Sequence, residues 1–126
     1  MDIDFEKNQL VARYVAVWNE PDPARRREAI ASLWAEDAVE LVEEATFTGL
    51  TELEARIAEA HQQFVQTGGY TVDHANDAVS HHDAVTFTIR LTQDTQTAWA
   101  ARVVLLVGED DLIRHDYQFT THPFTP

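Results

Sequence analysis

The sequence predicts a single α+β domain, and three observations support this. Apolar residues recur at helical spacing through the first half of the chain. In the second half they alternate with polar ones at a period of two. No repeat, low-complexity tract or Pro/Gly-rich linker interrupts the 126 residues, a length that can bury a core without staples.

The first helix is expected over residues 4–19, with Phe5, Val11, Tyr14, Val15 and Trp18 on one stripe. Glu20-Pro21-Asp22-Pro23 ends it and starts the next, Asp22 serving as N-cap and Pro23 as the first helical residue. Ala29, Ile30, Leu33 and Trp34 form the buried stripe of the second helix. A short strand over 38–42 and a hairpin partner over 45–48 come next. Thr51-Glu52-Leu53-Glu54 reads as a capping box opening a third helix. That helix turns Leu53, Ile57, Ala60, His61 and Phe64 inward and stops at Gly68-Gly69. Strands are expected over 70–76, 84–92, 98–107 and 112–121, the last three as an antiparallel meander. Val85, Phe87, Ile89 and Leu91 alternate with Thr86, Thr88 and Arg90, so one face of that strand is core.

Composition narrows the function. A net charge of -13, with Lys7 the single lysine, argues against nucleic acid, whose phosphates require clustered cations. No apolar run reaches the roughly 18 residues of a membrane span. The opening Met1-Asp2-Ile3-Asp4-Phe5 lacks the pattern of a signal peptide, so a cytoplasmic protein is expected. Cysteine is absent, which removes disulfides and thiol chemistry. His81-His82-Asp83 sits in a turn where adjacent histidines converge poorly on one ion, and the other histidines are scattered. No metal and no cofactor are expected.

Several local strings, in this order, resemble the ketosteroid-isomerase, SnoaL-like polyketide cyclase and nuclear-transport-factor-2-like superfamily. They are Arg13-Tyr14-Val15-Ala16 followed by Asn19, then Ala35-Glu36-Asp37-Ala38-Val39, then Thr48-Gly49-Leu50. The fourth is Asp111-Leu112-Ile113-Arg114-His115-Asp116-Tyr117-Gln118-Phe119, although the family's usual glycine before that isoleucine is missing. The resemblance implies three helices packed on a curved, mostly antiparallel sheet, forming a cone around a pocket for a small hydrophobic molecule. It also implies a homodimer through the outer sheet face.

For the site, the resemblance places Tyr14 where an oxyanion-binding tyrosine sits. The family's catalytic base falls at about Val42, beside Glu43, and its protonated aspartate at about Arg102. Two of three positions differ, so true steroid isomerase chemistry is rejected. SnoaL-like cyclases use a late-strand His or Asp, and here His115 and Asp116 are adjacent. With Phe119 taken as a pocket aromatic, a regular strand puts Ile113, His115, Tyr117 and Phe119 inside. Arg114, Asp116 and Gln118 then face outward. A bulge inverts that assignment, so Asp116 stays a second candidate. Tyr14, His115 and Asp116 are the catalytic candidates; Trp18, Trp34, Phe87, Arg102, Tyr117 and Phe119 are the substrate-binding ones. Arg102 has a second reading, as the ion-pair partner of Asp116.

Two functions compete. One is a cofactor-free enzyme performing cyclisation, isomerisation or related acid–base chemistry on a hydrophobic carbonyl compound. The other is a non-catalytic binding or dimerisation domain of the same fold. A cavity of roughly 300 Å3 with converging polar groups favours the first. One filled by Trp18, Trp34 and Phe64 favours the second.

Overall fold

The computed structural model describes residues 3–125; the side chain of Phe5 lies outside the described residues. Helix α1 spans Ile3–Asn19 and buries Val11, Tyr14, Val15 and Trp18 as its spacing requires. Helix α2, Pro23–Leu33, is capped by the Asp22 side chain, which accepts from Ala24 N at 3.0 Å. Trp34 ends α2 and begins strand β1, Trp34–Val42, so it is not part of the helix as expected. Strand β2, Ala45–Thr48, pairs back on β1.

Helix α3 runs Gly49–Ala60, one turn earlier than the proposed capping box. The Glu52 carboxylate accepts from the backbone amide of the N-cap Thr48, whose own side chain makes no capping bond, so half of such a box forms at Thr48 rather than Thr51. From His61 to Thr67 the helix widens into a π-helical segment, and it ends at Gly68 and a positive-φ Gly69. The remaining strands are β3 (Thr71–His74), β4 (Val79–His81), β5 (Ala84–Gln93), β6 (Gln96–Val107) and β7 (Ile113–His122). Strand β4 had no clear sequence signal, being three residues long.

The sheet order is β2-β1-β7-β6-β5-β3, with β4 also on β5. All pairings are antiparallel except β1 with β7. That parallel pairing brings residues 40 and 116, far apart in sequence, side by side. The helices cover one face, where Tyr14, Trp34, Phe87, Leu53 and Ile57 are sealed from solvent. At the end of α1, Asn19 acts as an extra strand residue: its amide nitrogen donates to Val72 O at 2.8 Å, and its oxygen accepts from Val72 N at 2.9 Å. This ties α1 to the edge strand β3 and fixes the position of Trp18.

One irregularity decides which residues of β7 face the core. Leu106 pairs with His115, but Val107 pairs with Ile113, leaving Arg114 as an extra residue. Ile113 is buried, Arg114 and His115 are both exposed, and Asp116 and Gln118 are buried. The bulge thus shifts the alternation by one position. Arg114 leaves the sheet plane to pair with Asp110 at 2.9 Å and Asp37 at 3.4 Å.

Candidate active site

A cavity of about 230 Å3 opens between the end of α1, the α3–π helix and the sheet. Its walls are apolar, among them Phe64, Val72, Ile89, Leu91 and Trp99. Phe124 from the C-terminal tail lies at its edge, with ring centroids 5.5 Å from Phe64 and 5.7 Å from Tyr70. The polar side chains bordering it include Arg56, His61 and Gln118, with Glu43 and Glu44 where β1 ends.

Behind Arg56 and Gln118 lies a buried polar network. Glu40 and Asp116 are register partners on β1 and β7, and neither has accessible surface. Glu40 Oε1 accepts from Arg56 Nε at 3.0 Å, and Glu40 Oε2 accepts from Gln118 Nε2 at 3.2 Å. The Tyr14 hydroxyl donates to Asp116 Oδ2 at 2.7 Å and accepts from Gln118 Nε2 at 2.9 Å. Because Glu40 can only accept from Gln118, the amide orientation is determined: its NH2 points inward and its Oε1 away.

Asp116 Oδ1 receives no donor, an expensive condition for a buried carboxylate. A proton on Asp116 resolves it, because the acid can then donate to Glu40, its register partner on β1. Burial raises the Asp116 pKa well above the ordinary range, and the neighbouring Glu40 charge raises it further. Burial also raises Glu40, opposed by the Arg56 guanidinium. Arg56 therefore favours the charge on Glu40 and the proton on Asp116. The pair titrates as a unit. Burial, then Asp116 and Glu40, keep the Tyr14 hydroxyl protonated by raising its pKa well above the usual value.

Arg56 is tightly placed. Its Cζ lies 5.5 Å from the Trp18 ring centroid and 5.1 Å from that of Phe47, both cation–π distances. His61 is buried, and its Nδ1 sits 2.9 Å from the Trp18 carbonyl oxygen.

The residues singled out from sequence divide sharply. Tyr14 and Asp116 come together in the buried network, and Trp18 borders the cavity. Trp34 and Phe87 are core residues, each packing 5.4 Å from the Tyr14 ring and away from the cavity lining. His115, Tyr117 and Phe119, expected inside, lie on the outer sheet face as a stacked row with centroid spacings of 6.3 Å. Phe119 is 52% exposed, and the bulge at Arg114 is the reason for all three reversals.

Arg102 also faces outward, because Ala101 and Val103 take the inner positions. It pairs with Asp77 at 2.8 Å and donates to Thr86 and Thr88 Oγ1 at 2.9 and 3.2 Å, so it meets neither cavity nor Asp116. Three site residues escaped the sequence reading. Glu40 was legible, since it shares strand parity with Val42, which was placed at the base position. Arg56 lies three residues after Leu53, on the flank of the inward stripe. Gln118 followed Asp116 into the wrong face.

No family model and no curated protein sequence matches the chain. Solved structures do. A protein from Agrobacterium tumefaciens described as a candidate isomerase of the SnoaL-like family superimposes with a TM-score of 0.83 at 25% identity, over 92% of this chain and 97% of that one. A SnoaL-like protein of unknown function from Burkholderia thailandensis matches with a TM-score of 0.71 at 16% identity, over 96% and 98%. A candidate polyketide cyclase from Sinorhizobium meliloti matches with a TM-score of 0.65 at 12% identity, over 87% and 93%. The chain has the SnoaL-like, nuclear-transport-factor-2-like fold, an α+β cone with an unclosed sheet. No described helix is long and apolar enough to cross a membrane.

Proposed function

We propose that this protein is a cofactor-free acid–base enzyme of the isomerase or cyclase kind, acting on a small hydrophobic carbonyl compound. The observation behind this reading is the Glu40–Asp116 pair: two carboxyls buried side by side, only one of them matched by an arginine, directly behind the polar end of an apolar cavity. Two carboxyls pushed into different protonation states are the usual equipment of a proton-transfer site. The structural neighbours described as a candidate isomerase and a candidate polyketide cyclase support the same direction.

In this reading the substrate carbonyl displaces the Gln118 amide. Tyr14 and the protonated Asp116 then donate to the developing oxyanion, while the Glu40 carboxylate accepts the carbon-bound proton. Arg56 holds Glu40 ionised until that moment. Trp18 and the apolar wall exclude water. At 230 Å3 the cavity is below the 300 Å3 named above, and it suits one or two fused rings. A second copy of the chain is proposed on the outer sheet face, where Phe119 is exposed beside Tyr117.

The competing reading, a binding or dimerisation domain, draws on two observations: that smaller cavity, and the absence of Glu40 and Asp116 from its border at rest. Deuterium incorporation separates the two. The protein is incubated in D2O with a panel of aryl and alicyclic ketones, and uptake at the carbon next to the carbonyl is followed by NMR. The enzyme reading expects uptake that falls by about 100-fold or more in Asp116→Asn and Glu40→Gln. Ketones that bind without any exchange favour the binding domain.

A further inference from the structure

His61 is a cavity residue that the proton-transfer network does not use. The Trp18 carbonyl can only accept a hydrogen bond, so His61 Nδ1 carries the hydrogen and Nε2 is left as an acceptor. The Nδ1 bond satisfies a carbonyl in the last turn of α1, which has no helical partner. Among the described residues Nε2 has no partner, it is not among the enclosed unpaired atoms, and His61 borders the cavity. The helix also changes from α to π geometry at this residue, a local irregularity common at functional sites.

Arg56 supplies the complementary group. Its Nε is taken by Glu40, two rings flank it, and its terminal nitrogens carry no hydrogen bond among the described residues. They too are absent from the enclosed unpaired atoms, and Arg56 borders the cavity. The polar end therefore offers fixed donors at Arg56 and a fixed acceptor at His61. Its net charge is unfavourable to anions: Glu40 cancels Arg56, and Glu43 and Glu44 stand at the border.

We propose that the cavity selects a neutral hydroxy-ketone on a one- or two-ring apolar frame, with the terminal nitrogens of Arg56 donating to the same carbonyl oxygen that Tyr14 and Asp116 engage, and His61 Nε2 accepting from the hydroxyl. The proposal rests on reading the cavity as a small-molecule site and names the substrate class for it. A carboxylate of the same shape is disfavoured, because it adds a charge that Arg56 has already spent on Glu40.

The test uses 2-acetonaphthone, its ring-hydroxylated isomers and 2-naphthoate, with affinities from calorimetry. Wild-type protein is expected to bind at least one hydroxylated isomer about tenfold tighter than 2-acetonaphthone, the gain of one hydrogen bond, and 2-naphthoate more weakly than either. His61→Asn keeps a nitrogen near the Nδ1 position for the Trp18 carbonyl and deletes Nε2. It should erase the hydroxyl gain while leaving 2-acetonaphthone affinity unchanged. Arg56→Lys should weaken every ketone.

Failure of all these probes to bind, a hydroxyl gain that survives His61→Asn, or tighter binding of 2-naphthoate than of the ketones overturns the proposal. Binding with the expected pattern but no deuterium uptake contradicts the enzyme reading and leaves this one intact. Uptake that is indifferent to His61→Asn, with hydroxylated and plain ketones exchanging alike, does the reverse.

Discussion

The two faces of strand β7 are built from alternate residues of one short segment, yet they differ in almost every physical respect. The inner face carries Asp116 and Gln118, both sealed, joined with Tyr14, Glu40 and Arg56 in a network of four hydrogen bonds. The outer face carries His115, Tyr117 and Phe119, a stacked aromatic row open to solvent, near the Arg102–Asp77 pair. Inside, polar groups are few, desolvated and mutually dependent, so each protonation state is set by its neighbours. Outside, charges are screened and nearly independent. A single extra residue, Arg114, decides which set of side chains receives which environment.

Breaking the inner network should have the largest effect. Arg56→Ala strands the buried Glu40 charge and is expected to cost about 3 kcal/mol by chemical denaturation. The matching outer change, Arg102→Ala, is expected to cost under about 1 kcal/mol, since Arg102 and Asp77 are each about one-third exposed. Tyr14→Phe removes one hydroxyl and leaves Asp116 Oδ2 and a Gln118 N–H unmatched, for about 1–2 kcal/mol. His115→Ala should change stability by less than about 0.5 kcal/mol and leave deuterium uptake untouched. Phe119→Glu should leave the monomer folded and dissociate any dimer in sedimentation velocity, which tests the outer face as a contact between copies.

The pH dependence sharpens the contrast further. Asp116 holds its proton more tightly folded than unfolded, so its contribution to stability is complete below the ordinary value of 3.8 and declines as pH rises through the folded value. Asp77 has the opposite sign: burial raises its pKa, but hydrogen bonds from Thr88 and the Arg102 charge outweigh that and lower it. Its smaller contribution is lost as pH falls. Asp116→Asn, which can still donate to Glu40 and accept from Tyr14, should flatten the gain in stability on acidification. Asp77→Asn should steepen it.

Much of the fold was legible because its signals are local. The Asp22-Pro23 start, the Gly68-Gly69 stop and the alternation in β5 each follow from a few adjacent residues. The site was less so. Tyr14 and Asp116 were named, but as separate candidates, because their meeting depends on the parallel pairing of β1 with β7. No residue in 112–116 announces a bulge: there is no glycine, and the string Ile113 to Phe119 alternates acceptably in either parity. The bulge is selected by the whole sheet, which gains a buried Gln118 whose NH2 donates twice and places three aromatic or imidazole rings outside. Glu40 was different: its parity was readable and was passed over beside Val42. The Thr51 capping box failed for a local reason, since Glu52 serves Thr48 as readily.

The proposed acid–base site stands or falls on the protonation of the inner carboxyl pair. The side-chain carboxyl carbon of Asp116, followed by 13C NMR through a pH titration, reports it directly. A midpoint well above the ordinary aspartate range, moving down in Glu40→Gln as the neighbouring charge is removed, is the predicted result. A midpoint at or below that range, indifferent to Glu40→Gln, contradicts the shared proton and with it the acid–base site.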